Sequence, residues 1–103
     1  MVNRGGESIS ATEIENLIGE HPDVAIVAVI PMPDPQLGEK VCAYIQPKPQ
    51  KVLNFEEVIS FLKVKKASVL QFPEHMEFVE QMPLTKAGKI DKRALKKAIM
   101  EKI

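Results

Sequence analysis

The chain is poor in the residues that build covalent or metal frameworks: one cysteine, two histidines and no tryptophan in 103 residues. A lone Cys42 cannot close an intrachain disulfide, which points to a reducing compartment and a cytoplasmic setting. One Cys and two His cannot assemble a Cys/His zinc site, so no metal site is expected. No apolar run approaches the roughly 20 residues of a membrane-spanning helix, so no membrane is expected as a partner. The opening Met1–Gly6 lacks the apolar core of a secretory signal. Neither charge sign is in excess, with 14 basic and 14 acidic residues, which argues against a wholesale nucleic-acid binder. The length suits one domain and excludes a multidomain enzyme.

What is present is clear punctuation. Pro31, Pro33, Pro35 and Gly38 mark one loop and Pro47 and Pro49 a second; Phe72-Pro73 and Pro83 to Gly88 mark two more. Three helix starts share one grammar. Ser10 with Glu13 forms a capping box, with Ile9 and Ile14 as staple, and Asn54 with Glu57 repeats it, with Leu53 and Val58. Asp91 caps a third helix, with Ile90 and Leu95 as staple. The first helix is predicted to end near Gly19 with Ile14, Leu17 and Ile18 inward. The second carries Phe55, Val58, Ile59 and Leu62, and the third Leu95, Ile99 and Ile103. Val24–Ile30 is continuously apolar and reads as a central buried strand. Val41–Gln46 is its expected partner, and Met76–Val79 a short third strand. The expected fold is α+β: a small mixed sheet of about three strands plus a short N-terminal hairpin, packed with about three helices.

The neutral total hides a split. Residues 1–85 hold seven basic and twelve acidic residues, whereas residues 86–103 hold seven basic and only Asp91 and Glu101. Such a segment is either a solvated helix face or a surface for an anionic partner. No aromatic residue interleaves it, which disfavours single-strand stacking. Before it, Pro83-Leu84-Thr85-Lys86-Ala87-Gly88-Lys89 reads as a polar loop made flexible by Gly88, presenting Lys89 as a point charge for a phosphate or carboxylate oxygen. It lacks the full phosphate-cradling pattern of a P-loop. At the other end, Arg4-Gly5-Gly6-Glu7 is either a tight turn between two short strands or a place where a ligand passes close to backbone.

Four segments in register carry a resemblance. Asn3-Arg4-Gly5-Gly6-Glu7-x-Ile9-Ser10-x-x-Glu13-Ile14-Glu15 resembles the glycine-turn motif that opens the C-terminal domain of the adenylate-forming enzymes. His21-Pro22-x-Val24 and Pro33-Asp34-Pro35-x-x-Gly38-Glu39 fit the same domain, and Pro83-Leu84-Thr85-x-x-Gly88-Lys89-Ile90 resembles its terminal lysine motif. The superfamily includes acyl- and aryl-CoA synthetases, peptide-synthetase adenylation domains and luciferases. The opening Asn-Arg-Gly-Gly-Glu and the stretch Lys66–Gln71 look most like aryl-acid-activating members such as 2,3-dihydroxybenzoate–AMP ligases.

The resemblance implies that residues 1–103 are the mobile C-terminal domain of a larger ligase. Its N-terminal domain would hold ATP and Mg2+ and choose the acid. Lys89 is implied as the adenylation lysine, with Thr85 and Gly88 supporting its loop. Arg4, Gly5, Gly6 and Glu7 are implied as the turn lining the tunnel for coenzyme A or a carrier's phosphopantetheine arm. Two departures stand out: the family's hinge residue would precede Met1, and a lysine common before the third strand is absent from Leu70-Gln71-Phe72-Pro73. The alternative is a free-standing module whose basic C-terminal helix docks an acidic protein or nucleic acid. His21 reads as a turn residue, His75 as exposed, Cys42 as a small core residue, and Met32, Met76 and Met82 as packing.

Overall fold

The computed structural model describes residues 2–4, 7–35, 38–67 and 72–102; of residues 2–4, 7–9 and 34 it describes the backbone. The elements run β1 (Val2–Arg4), β2 (Glu7–Ile9), α1 (Ala11–Gly19), β3 (Val24–Asp34), β4 (Gly38–Pro47), α2 (Phe55–Val64), β5 (His75–Phe78) and α3 (Lys92–Lys102). The α+β expectation is met. β1 and β2 form the short hairpin, β3 and β4 pair antiparallel, and β5 adds to β4 in parallel, making the sheet mixed. Gly5, Gly6, Ser68–Gln71, Ile103 and the side chain of Ile9 lie outside the described residues.

Each helix starts where its cap dictates. Ser10 Oγ accepts from the Glu13 amide at 3.3 Å, Asn54 Oδ1 from the Glu57 amide at 2.8 Å, and Asp91 Oδ1 from the Ala94 amide at 3.1 Å. Ile14 and Ile18 of α1 are buried, as are Val58 and Leu62 of α2 and Leu95 and Ile99 of α3. Phe55 departs from expectation: in the first turn of α2 it stays 40 % exposed, and Val58, Ile59 and Leu62 do the packing.

The sheet has helices on both faces, and strand alternation sorts the core into two layers. Val29, Val41, Ala43 and Ile45 pack with Ile14, Ile18, Val58 and Leu62 under α1 and α2. Ala28, Ile30, Met32, Cys42 and Tyr44 pack with Met82, Leu95 and Ile99 under α3. Successive side chains therefore both face apolar layers, which explains the unbroken apolar run.

Two corrections follow. The run Val24–Ile30 is not central: β4 is the central strand, and β3 pairs with it alone. The strand also continues through Pro31 and Pro33 to Asp34, where a loop was predicted. The edge position explains both. Val29 turns its amide away from β4 and donates to Glu15 Oε2 at 2.8 Å. Residues 31 and 33 share that outward parity, and as prolines they have no amide hydrogen to leave unpaired. Glu15 Oε2 also meets Lys92 Nζ at 2.9 Å, so one carboxylate joins α1, the β3 edge and the start of α3.

Burial fixes the two acidic side chains of the second layer. Cys42, at 0 % exposure, has its thiol pushed up to about 12, chiefly by burial and then by the Glu77 charge. The Tyr44 hydroxyl is likewise pushed up to about 12 by burial, and it has no hydrogen-bond partner among the described residues. Both protons stay on longer in the folded chain than in the unfolded one. Their contribution is therefore whole below about pH 8.5, and stability falls as pH rises from there toward 12. Urea midpoints are expected to hold steady from pH 7 to 8 and to drop above about pH 9. Cys42 is expected to resist iodoacetamide at pH 8 until urea unfolds the chain. A flat alkaline profile would contradict this account.

Candidate functional site

Residues 83–91 form a tight hairpin, not the flexible loop predicted. The Asp91 amide donates to Pro83 O at 2.9 Å, Leu84 bridges Ile90, and the Thr85 amide donates to Lys89 O at 2.7 Å. At the tip the Gly88 amide donates to Thr85 O at 2.9 Å, and Gly88 has φ +81°. This is a three-residue loop in which a turn is followed by one left-handed residue. That residue is glycine because a side chain there is strained. Thr85 Oγ1 accepts from the Lys89 amide at 3.3 Å and closes the tip from the side. The signal was present in the sequence as Lys86-Ala87-Gly88 between Thr85 and Lys89.

Nothing lies within 4 Å of a Cβ built on Gly88, so a side chain there meets backbone strain alone. Gly88→Ala is expected to cost about 1–2 kcal/mol. For a domain of this size that lowers the melting temperature by roughly 5–15 °C. An unchanged melting temperature would refute the strained-turn assignment.

Lys89 leaves this tip exposed, and its ammonium has no ion-pair partner among the described residues. Its neighbours in the basic segment divide. Lys92 pairs with Glu15 and Lys102 with Glu77. The Lys102 hydrogen bond holds the Glu77 carboxyl below the usual carboxylate range, aided by His75, whose Nε2 lies 2.5 Å from Glu77 Oε2. His75, expected to be exposed, is thus half-buried and bonded to Glu77. Arg93, Lys96 and Lys97 are exposed on α3.

The second predicted group lies elsewhere. Arg4 registers against Glu7 in the β1–β2 ladder and against Gly38 at the start of β4. Gly5 and Gly6, between them, are outside the described residues. The lysine hairpin is instead tied near the far end of β4, where Gln46 Oε1 accepts from the Met82 amide at 2.8 Å. Gly38 and Gln46 are roughly 25 Å apart at the rise of a strand. The structure therefore brings Thr85, Gly88 and Lys89 together and anchors Arg4 and Glu7 at the opposite end of the central strand. Sequence reasoning gave neither Gln46 nor Glu15 a partner, because those partners lie 36 and 14 residues away.

Two surface grooves are formed among the described residues. A groove of about 420 Å³ is lined by Pro47 to Leu53 with Phe78 to Glu80, and a more open one by residues that include His21, Asn54 and Phe61. Neither contains Lys89. The hairpin offers two exposed ammoniums with no ion-pair partner among the described residues, Lys86 within the three-residue loop and Lys89 just after it. Lys89 is the one whose backbone Thr85 holds through two hydrogen bonds, and it can reach a phosphate or carboxylate held by another body. Among the described residues no helix is long and apolar enough to cross a membrane.

Comparison with known proteins shows the family. The family profile described as "AMP-binding enzyme C-terminal domain" matches residues 13–89, ending on Lys89. A salicylyl-CoA synthase / salicylate adenylyltransferase from a Streptomyces species is 44 % identical over 102 residues, which are 99 % of this chain and 18 % of that protein. A 2,3-dihydroxybenzoate-AMP ligase from Bacillus subtilis is 40 % identical over 102 residues, 99 % of this chain and 19 % of its own length. Among solved structures, an acyl-CoA synthetase from Brucella canis superposes with a TM-score of 0.87 at 33 % identity, over 98 % of this chain and 19 % of that one. The chain thus spans less than one fifth of the length of these relatives.

Proposed function

This chain belongs to the AMP-binding enzyme C-terminal domain family, and we propose that it works as the mobile C-terminal domain of an ATP-dependent aryl-acid ligase. In the first step a carboxylate attacks the α-phosphorus of ATP and pyrophosphate leaves, giving an acyl-adenylate. In the second a thiol attacks the acyl carbon and AMP leaves. The N-terminal domain of the same parent chain holds ATP with Mg2+ and selects the acid. The thiol belongs to coenzyme A or to a carrier's phosphopantetheine arm. The free, buried Cys42 suits a cytoplasmic setting for the parent enzyme.

Lys89 carries the first step. Its ammonium bridges the incoming carboxylate and the α-phosphate as negative charge develops between them, stabilising the transition state more than the ground state. Thr85 and Gly88 hold its backbone in place. The glycine pair after Arg4 serves the second step, where residues without side chains let the pantetheine arm pass close to backbone. The observation that carries this reading is the unpaired Lys89 at the tip of a hydrogen-bonded hairpin. The placement of the two groups toward opposite ends of β4 supports it: one domain rotating between poses would present first one and then the other. The aryl preference follows the salicylate and dihydroxybenzoate relatives.

A free-standing module that docks an acidic protein or nucleic acid is not favoured, because the family and these relatives are ligases and synthetases. The test is carboxylate-dependent ATP–pyrophosphate exchange by the full-length enzyme, wild type against Lys89→Ala, over hydroxybenzoates and fatty acids. Exchange that needs Lys89 and prefers a hydroxybenzoate supports the proposal. Exchange indifferent to Lys89 sinks the catalytic role, and preference for a fatty acid sinks the aryl assignment.

A further inference from the structure

We propose that Gln46 is a positioning residue for Lys89, setting where the ammonium sits during adenylation; this rests on the function proposed above. Gln46 lies on the central strand β4, two residues beyond Tyr44 and four beyond Cys42, and so on the face that packs under α3. Its amide oxygen accepts from the main-chain N–H of Met82 at 2.8 Å. Met82 is only 2 % exposed, so that donor has no ready substitute in water. From Met82 the chain passes directly into the hairpin, whose rungs continue without a break: Asp91 to Pro83, Leu84 beside Ile90, Thr85 to Lys89. Ile90 packs on the same layer as Met82. A displacement at Met82 is therefore carried through the ladder to the Lys89 backbone, not absorbed along a loose loop. Gln46 touches neither substrate nor reacting atoms; it acts through the hairpin.

The second half-reaction separates positioning from general support, because Lys89 has no part in thiol attack on a finished adenylate. In the full-length ligase Gln46→Met removes the acceptor at similar size. Pyrophosphate exchange is expected to lose roughly 10-fold or more in kcat, since a misplacement near 1 Å is enough for a larger loss. The KM for ATP is expected to stay within about twofold, as uniform binding is untouched. Thioester formation from preformed aryl-adenylate and coenzyme A is expected at the wild-type rate. Gln46→Glu, which keeps an acceptor oxygen, is expected to restore exchange. In a Lys89→Ala background Gln46→Met is expected to have no further effect, because the group it positions is gone.

Gln46→Asn, one methylene too short to reach Met82, replaces the Met variant if that one does not fold. Two results overturn the inference while leaving the proposed function in place: exchange at the wild-type rate in the Gln46 variants when Lys89→Ala is crippled, or equal losses in both half-reactions. If Lys89→Ala itself exchanges normally, the proposed function fails and this inference with it.

Discussion

Replacing Lys89 with alanine in the full-length enzyme is expected to lower adenylation by two to three orders of magnitude. The magnitude follows from what the residue supplies. A fixed charge aimed where negative charge develops contributes about 3–4 kcal/mol to the barrier in a water-poor site, by analogy with a lost oxyanion donor. Three features of this chain favour that upper scale. The ammonium has no carboxylate among the described residues competing for it. Its backbone is held by Thr85 on both sides, through the Thr85 amide on Lys89 O and Thr85 Oγ1 on the Lys89 amide. Its hairpin is short, so little conformational freedom is lost when the domain closes. Lys89→Arg is expected to recover little, because a planar guanidinium cannot replace a compact ammonium shared between two oxygens. The loss is expected in kcat for pyrophosphate exchange, with thioester formation from supplied adenylate spared. Because Lys89 is exposed and unpaired, the melting temperature is expected to stay within about 1–2 °C of wild type. An exchange rate within a few-fold of wild type would remove Lys89 from the chemistry.

The helix starts were legible because their physics is local. A cap and its partner amide lie three residues apart, and Ser10, Asn54 and Asp91 all cap as read. The two-layer core was legible from the unbroken apolar run, which needs both sheet faces covered. The strand's place in the sheet was not, because that depends on which edge finds a partner. Pro31 and Pro33 read as loop punctuation; only the knowledge that their nitrogens face an open edge makes them strand residues. Thr85, Gly88 and Lys89 were singled out by motif, and Gly88 was read as flexibility where the backbone makes a defined left-handed turn. The supports, Glu15 under Val29 and Gln46 under Met82, left no trace in spacing because only the finished tertiary structure brings them to their donors.

Ile45→Ala is expected to be the most destabilising of these changes, and its argument runs through the centre of the sheet. Ile45 is fully buried on β4, the strand that pairs with both β3 and β5: it registers against Val27 on one side and Phe78 on the other. Its carbonyl also accepts from the Val79 amide at 2.9 Å, at the exit of β5 toward the lysine hairpin. Its side chain belongs to the layer of Ile14, Ile18, Val58 and Leu62, which draws on two helices and three strands. Such a site cannot collapse around a cavity without moving the strand, so the cost is expected to be about 3–5 kcal/mol. Total stability for a domain of this length is roughly 5–15 kcal/mol, so the change removes at least about a fifth of it. The melting temperature of the isolated domain is expected to fall by at least about 10 °C. Val52→Ala, at a site 85 % exposed, is the control and is expected to stay within about 0.5 kcal/mol of wild type. The activity pattern also differs from that of Lys89→Ala. Loss of Ile45 depletes folded enzyme and lowers both half-reactions together on warming, whereas loss of Lys89 lowers the first alone at every temperature. A small shift for Ile45→Ala, within about 1 kcal/mol, would mean that the layer under α1 and α2 is not the core that holds β4 in place.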